Sequence, residues 1–213
     1  MARGVFISFE GSEGCGKSTQ IRRLAERLES LGKPILVTRE PGGTEIGEQL
    51  RHLLQFSKAG HAMTPEAELL LFAASRAQLV RQVIEPALQA GQWVIADRFL
   101  DSTTVYQGVA RRLDPEAVAF INEFAVGARL PDLTILLDID IAEGRRRMAG
   151  RAGPGGPPDR MEQMPPAFYE SVRAGYLALV REEAERFRVV NAGRSVDAVE
   201  AEVWEHVAGL MGK

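Results

Sequence analysis

Eight consecutive residues, Gly11-Ser12-Glu13-Gly14-Cys15-Gly16-Lys17-Ser18, narrow the choice of fold more than anything else in the chain. They fit the pattern Gly, four residues, Gly-Lys-Ser/Thr, which works only as a loop between a strand and a helix. Val5-Phe6-Ile7-Ser8-Phe9 before it reads as a buried strand. Ile21, Leu24, Ala25, Leu28 and Leu31 after it recur with a helical period. Glycines let the backbone fold tightly enough for its N–H groups to surround phosphate oxygens. The following helix N-terminus adds a favourable field for an anion. Lys17 is placed to reach the β- and γ-phosphates, and the Ser18 hydroxyl to ligate Mg2+. Residues Gly11 to Thr19 are therefore the expected nucleotide site. Two of them are unusual there. Glu13 is an acid where anions bind, and Cys15 sits where a helix N-terminus could lower a thiol pKa, although a small side chain filling a tight site explains it more simply.

The rest of the chain agrees with that placement. Five apolar segments, 5–9, 35–38, 93–96, 133–139 and 187–190, read as strands separated by helical patterns. Such alternation predicts an α/β fold with a five-stranded parallel sheet covered by helices on both faces. The 213 residues suit one domain, 1–213. The first helix should stop near Leu31, with Gly32 as its cap. Thr64-Pro65-Glu66 reads as a helix start, and Pro86 should end or kink that long helix before Gly91. Asp114-Pro115-Glu116 opens another helix, and Asp197 with Glu200 resembles a capping box for the last one. With 26 basic and 29 acidic residues the net charge is −3, which gives no sign of a nucleic-acid or membrane-surface binder. The start of the chain runs straight into the first strand, so no signal peptide is expected. One cysteine excludes an internal disulfide and suits a cytoplasmic setting.

Further candidate groups lie beyond strand ends, where ligands bind in open α/β sheets. Asp97-Arg98 follows the 93–96 strand; Asp97 could hold Mg2+ and Arg98 clamp a phosphate, or the two could form a structural ion pair. Arg39-Glu40-Pro41-Gly42-Gly43-Thr44 makes a tight turn after the second strand. Phe72 and Arg76 lie four apart on one helix face, either as an aromatic plate beside a guanidinium or as ordinary core. Ser102 to Gly108 is a polar patch able to read the edge of a base. Residues 149–161 carry a run rich in Gly and Pro with Arg151 and Arg160, which reads either as a surface loop or as a lid closing over phosphates. Arg145, Arg146 and Arg147 lead into it, most of them on a solvated helix face, with Arg147 able to approach a nucleotide.

Taken in order, these segments resemble the bacterial thymidylate kinase family across nearly the whole chain. The matching motifs are Phe9-Glu10-Gly11 through Thr19, Thr38-Arg39-Glu40-Pro41-Gly42-Gly43-Thr44, Leu71-Phe72-Ala73-Ala74-Ser75-Arg76-Ala77-Gln78, Asp97-Arg98-Phe99, Tyr106-Gln107-Gly108, Pro131-Asp132-Leu133 and Asp159-Arg160-Met161-Glu162. The resemblance implies a P-loop fold of the nucleoside monophosphate kinase type and transfer of the ATP γ-phosphate to dTMP. It also implies roles. Phe72 would stack on thymine, with Pro41 near the nucleoside and Arg76 toward the monophosphate or the base edge. Arg98 would hold the acceptor phosphate. Thr103 and Gln107 would read the base. Tyr106 would crowd the position of a ribose 2′-hydroxyl, and Glu13 would approach the 3′-hydroxyl. Asp97 would join Ser18 in the Mg2+ sphere. With no arginine in the loop, the chain looks like the type whose catalytic arginine lies in the lid, here Arg151. A homodimer is expected. Three departures stand out: a lid long in Gly and Pro, Ser75 before the arginine, and Phe99 where a tyrosine or histidine is common.

The chemistry implied is positioning and charge stabilisation, since a phosphate acceptor is already anionic near pH 7 and needs no general base. Lys17, Arg98, Arg151 and Mg2+ would be the cations. Two alternatives remain at this stage. A kinase for another monophosphate or for a deoxynucleoside would use Glu40 as base in the latter case. A nucleotide-driven switch would leave Phe72, Arg76 and the arginine-bearing lid without a purpose.

Overall fold

The computed structural model describes residues 3–150 and 159–211. Strand β1 (Phe6–Glu10) is fully buried and runs into the glycine-rich loop, after which α1 (Lys17–Ser30) begins. Then come β2 (Ile35–Arg39), α2 (Glu45–Gln55) and a 3-10 turn at Lys58–Ala62. Helix α3 (Pro65–Leu79) passes through a π-helical turn, Val80–Ile84, into α4 (Glu85–Gln89). Strand β3 (Trp93–Asp97) is followed by α5 (Leu100–Thr103) and a longer π-helical stretch, Thr104–Ala110. The chain continues through α6 (Pro115–Val126), β4 (Leu133–Asp138), α7 (Ile141–Ala149), α8 (Pro166–Glu182), β5 (Phe187–Asn191) and α9 (Val196–Ala208).

The five strands make one sheet in the order β2-β3-β1-β4-β5, every pair parallel. All five expected strands are present, within a residue or so of their expected ends. Alternate residues of β1 explain the two-sided cover. Ile7 and Phe9 pack with Leu24 and Leu28 of α1 and Val203 of α9 on one face. Phe6 packs with Leu79 and Ile84 on the other. A third apolar group joins Leu136 to Val172 and Tyr176 of α8. Because β1 lies between β3 and β4, the glycine-rich loop leaves the middle of the sheet at its carboxyl rim, beside the end of β3.

Local signals mostly hold. Thr64 caps α3 through its hydroxyl, and Pro65 opens the helix. Pro86 does not end that helix; the chain stays helical to Gln89, with the π-helical turn just ahead of the proline. The expected capping box at Asp197 and Glu200 is a misreading. Ser195 is the cap, accepting from the Ala198 amide at 3.3 Å. Asp197 and Glu200 instead both accept from Arg23 of α1, at 2.6 and 2.5 Å.

Gly14 of the loop is required by close backbone approach as well as by φ, and it meets a glycine of α7. A Cβ at Gly14, where φ is 77°, would lie 2.2 Å from the Gly144 carbonyl oxygen. A Cβ at Gly144 would lie 2.8 Å from the Glu13 carbonyl oxygen. The loop is thus pressed against the first turns of α7, backbone on backbone. Gly144→Ala should lower stability by about 1–3 kcal/mol, the range for overpacking, and raise KM for the nucleotide by pushing the loop outward. Denaturant melts with a nucleotide titration check this; wild-type values for both would disprove the contact.

Candidate active site

Three neighbouring cavities run along the carboxyl rim of the sheet. The middle one, about 700 Å³, is lined by Gly14, Lys17, Ser18, Arg51, Asp97 and Arg98 among others. Helix α1 starts there, with Gly16 in a left-handed conformation (φ 93°) turning the chain so that the first amides of the helix face the cavity. The buried Lys17 folds over the loop: its Nζ donates to the Gly11 carbonyl at 3.0 Å and to the Ser12 carbonyl at 3.3 Å. Cys15 lies beneath it, buried, its Sγ 3.6 Å from Nζ. Ser18 and Asp97 also border a fourth cavity that adjoins this one.

To one side lies a cavity of about 420 Å³. Phe72 and Pro41 give it apolar walls, and Thr103, Tyr106, Gln107 and Met161 line the rest. Glu13, Glu40, Gln55, Arg98 and Asp159 border both this cavity and the middle one, so the two are continuous. On the other side, a space of about 820 Å³ is bordered by Cys15, Thr19, Arg147, Ala192 and Arg194, and it shares Gly14 and Gly16 with the middle cavity. Arg147 is held there by Glu143 at 2.8 Å and by the Ala192 carbonyl at 3.0 Å. Arg146 is exposed and pairs with Glu143.

Arg98 is held at both its backbone and its guanidinium. Its φ of 71° places a non-glycine residue in the left-handed region, which costs about 1–2 kcal/mol. Its amide donates to the Phe9 carbonyl at 3.0 Å, fixing it to the end of β1. One end of its guanidinium pairs with Glu13, and the other donates to Ser102 at 3.1 Å and Tyr176 at 3.3 Å. Burial alone would lift the Glu13 carboxyl. The Arg98 and Lys17 charges overcome that and hold it below the usual carboxylate range, so an acid is tolerated in the loop because two cations flank it. The Tyr106 hydroxyl also donates to Glu13, at 3.4 Å.

Behind Arg98 stands Glu10, fully buried at the end of β1. It accepts from the Phe99 amide at 2.7 Å, the Ser102 hydroxyl at 2.6 Å and the Tyr176 hydroxyl at 2.7 Å. Ser102 and Tyr176 thus donate to Glu10 and accept from Arg98. Burial pushes the Glu10 carboxyl up to about 7, helped by nearby Asp101 and opposed by Arg98 and the two hydroxyls.

Arg76 is placed differently from a free substrate-binding group. It borders the acceptor cavity but is only 1% exposed. It pairs with Glu40 at 2.7 Å and donates to Asn122 at 2.9 Å and Thr103 at 2.8 Å. Ser75, one of the departures, accepts from the Gly42 amide at 3.1 Å and so anchors the turn that carries Pro41. Phe99 stacks edge-on against Phe6 at 4.9 Å. Arg151 and most of the expected lid lie outside the described residues. Sequence reasoning missed Arg51 and Tyr176 and gave no role to Glu10 or Asp159, which stood only within matched motifs. Glu10 carried a further signal, an acid closing an otherwise apolar strand.

An amide cradle at a helix N-terminus, a lysine over it, and a second, aromatic-walled cavity joined to it through an arginine define a P-loop phosphotransferase of the nucleoside monophosphate kinase type. The profile of the thymidylate kinase family matches residues 9–203. A thymidylate kinase of Syntrophotalea carbinolica is 50% identical over 201 residues, 93% of either chain. One of Deinococcus radiodurans is 44% identical over 98% of either chain. The crystal structure of thymidylate kinase from Ehrlichia chaffeensis superposes with a TM-score of 0.77 at 30% identity, covering 96% of this chain and 99% of that one. The chain belongs to the thymidylate kinase family. Its reaction is the ATP-dependent phosphorylation of dTMP.

The Glu10 shift has a testable consequence. Its folded value, about 7, lies above the ordinary 4.5, so between those pH values the folded chain keeps a proton that the unfolded chain releases. Its contribution to stability is complete below pH 4.5 and is lost as pH rises through 7, by up to roughly 3 kcal/mol at 1.4 kcal/mol per pH unit. Glu10→Gln, which cannot ionise, lacks this slope. Melts of both proteins at pH 5 and pH 8 should show the variant gaining on the wild type at the higher pH; a pH-independent gap would refute the shift.

Proposed function

We propose that dTMP occupies the cavity beside Phe72 and that ATP lies along the loop, the two meeting end to end between Lys17 and Arg98. The observation that supports this most is the shared wall of the two cavities, formed by Glu13, Glu40 and Arg98. Phe72 stacks on thymine and Pro41 closes over the nucleoside. Thr103 and Gln107 read the base edge, and Arg76 borders it while bracing Glu40. Tyr106 stands where a ribose 2′-hydroxyl would project, and Glu13 takes the 3′-hydroxyl. Arg98 grips the acceptor phosphate, with Arg51 on the same cavity wall. The adenine side of ATP falls to the space between Arg147 and the Ala192–Arg194 turn.

Mg2+ fits the residues present. Ser18 and Asp97 offer one hydroxyl and one carboxylate to the same cavity. Among the described residues no group of three or more His, Cys, Asp or Glu side chains could hold a metal without other ligands. A two-ligand site of this kind suits an ion that completes its shell with phosphate and water oxygens. When bound, Mg2+ would neutralise charge on the transferring group. The chain's own residues do the rest. Lys17 exchanges the loop carbonyls for phosphate oxygens, Arg98 aligns the attacking phosphate, and Arg151 supplies the last cation. The Arg151 assignment rests on sequence alone.

A deoxynucleoside kinase would need Glu40 free as a base. Its Oε2 is engaged with Arg76 at 2.7 Å while its buried Oε1 has no partner among the described residues; the two arginines that border the acceptor cavity, Arg76 and Arg98, are what favour a phosphate acceptor. The proposal extends to the molecule's setting. A cytoplasmic homodimer suits it, formed across α6 and its neighbour α3. Phe120 and Phe124 on one face of α6 are 70% and 76% exposed, and Leu70 of α3 is 56% exposed. Among the described residues no helix is long and apolar enough to cross a membrane. Replacing both phenylalanines by glutamate should give monomers by sedimentation; a persisting dimer would exclude this face.

Lys17→Met and Arg151→Ala should each lower kcat on the order of 10²–10³-fold, the scale for losing one transition-state contact. Affinity for dTMP should move by less than about threefold, because neither cation binds the base or sugar. ADP release with dTMP and thymidine side by side, plus calorimetry, checks this. Near-normal turnover in both variants, or phosphorylation of thymidine instead of dTMP, would overturn the arrangement.

A further inference from the structure

Glu68, on α3 one turn before Phe72, is 1% exposed and collects three partners. Arg160 pairs with its Oε2 at 2.5 Å. Arg111 donates to Oε1 at 3.3 Å and to Oε2 at 3.2 Å. The Gln107 Nε2 donates to Oε1 at 2.8 Å. Gln107 itself is 2% exposed and lines the acceptor cavity with Phe72 and Thr103.

A glutamine side chain is nearly symmetric in shape but opposite in hydrogen-bonding sense at its two ends. Nothing in its packing alone decides which end faces a ligand. A carboxylate paired with two guanidiniums offers only acceptor sites, so the end of Gln107 toward Glu68 must be the NH2. The carbonyl oxygen is then the polar atom left for the cavity.

We propose that Glu68 sets base specificity, by forcing Gln107 to present an acceptor to the incoming base. Thymine and uracil carry an N–H at position 3 and satisfy that acceptor. Cytosine carries a lone pair at the same position and opposes it, leaving two buried acceptors face to face. Discrimination of this kind is strong because the mismatched pair leaves polar groups unpaired in a buried site. Glu68 is a positioning residue and does not touch substrate. The stacking plate and the orienting carboxylate ride on one helix, four residues apart, so the plane of the base and its hydrogen-bonding edge are set together.

The inference rests on the reading that the base lies against Gln107, and the test separates the two. The readout is the kcat/KM ratio of dUMP to dCMP, which differ only at the edge concerned. In Glu68→Gln the facing amide can donate or accept, Gln107 is free to turn over, and the ratio should fall about tenfold or more. A merely structural role would weaken both substrates alike and leave the ratio unmoved. Gln107→Leu is the control on the underlying reading. If it leaves the ratio unchanged, the base does not lie against Gln107. If it collapses the ratio while folded Glu68→Gln keeps the wild-type value, Glu68 does not set the orientation. Glu68→Gln leaves two arginines without their carboxylate and can fail to fold, so a wild-type measurement accompanies it. With labelled glutamine, dTMP should shift the Gln107 carbonyl carbon and leave its NH2 resonances in place. Movement of the NH2 pair with an unmoved carbonyl would overturn the proposal.

Discussion

The register of β1 against β3 fixes everything at the rim. Phe9 lies opposite Asp97, so the loop that follows β1 and the Asp97-Arg98 pair that follows β3 leave the sheet side by side. The Arg98 amide closes the register by bonding the Phe9 carbonyl. A slip of one residue would send Asp97 to the opposite face of the sheet and separate Arg98 from Glu13. Parallel strands buried on both faces resist such a slip, because every side chain of β1 is packed. The site is therefore located by the same apolar contacts that hold the fold.

Around that rim the chain buries several acids at substantial cost, and each is answered. Glu40 has Arg76, Glu68 has Arg111 and Arg160, and Asp101 has Arg186. Replacing such pairs with apolar groups is often no less stable. Their value here lies in orientation. Arg76 joins α3 to Thr103 and to Asn122 of α6, and Arg186 joins the start of β5 to α5. Glu10 differs: its direct partners are an amide and two hydroxyls, and burial raises its carboxyl despite the hydroxyls. It orients Ser102 and Tyr176, whose oxygens then face Arg98 with lone pairs. Glu10 thus stands one hydroxyl removed from the cation it positions.

How much of this the sequence discloses depends on whether the signal is local. The glycine-rich loop, the five strands and the Thr64 cap are written within a few consecutive residues, and each could be read directly. Phe72 stands out by its spacing from Arg76, and Thr103, Tyr106 and Gln107 by their polar patch; their roles come from the resemblance, and the fold brings them to one cavity. Arg76 shows the limit. Its helix position was legible, but not that Glu40, Asn122 and Thr103 would occupy it. Tyr176 has helical spacing among apolar neighbours and reads as core, which it is; only its hydroxyl belongs to the site. The false capping box at Asp197 failed for a related reason. Local spacing suited a cap, and Arg23, 174 residues away, offered the stronger partner.

Reactions that need no general base place the whole burden on cations of fixed position, and this rim is built for that. Lys17 and Arg98 are both held by groups of weak or moderate competing strength: carbonyls for one, a single carboxylate and two hydroxyls for the other. Neither is locked on every side, as Arg76 is. A phosphate carrying a full negative charge on more than one oxygen outbids a carbonyl for an ammonium group. On the placement proposed above, the 3′-hydroxyl of a deoxynucleotide would donate to Glu13 while the phosphate takes the arginine that Glu13 leaves. On that placement the Glu13–Arg98 pair would couple sugar recognition to the release of the arginine.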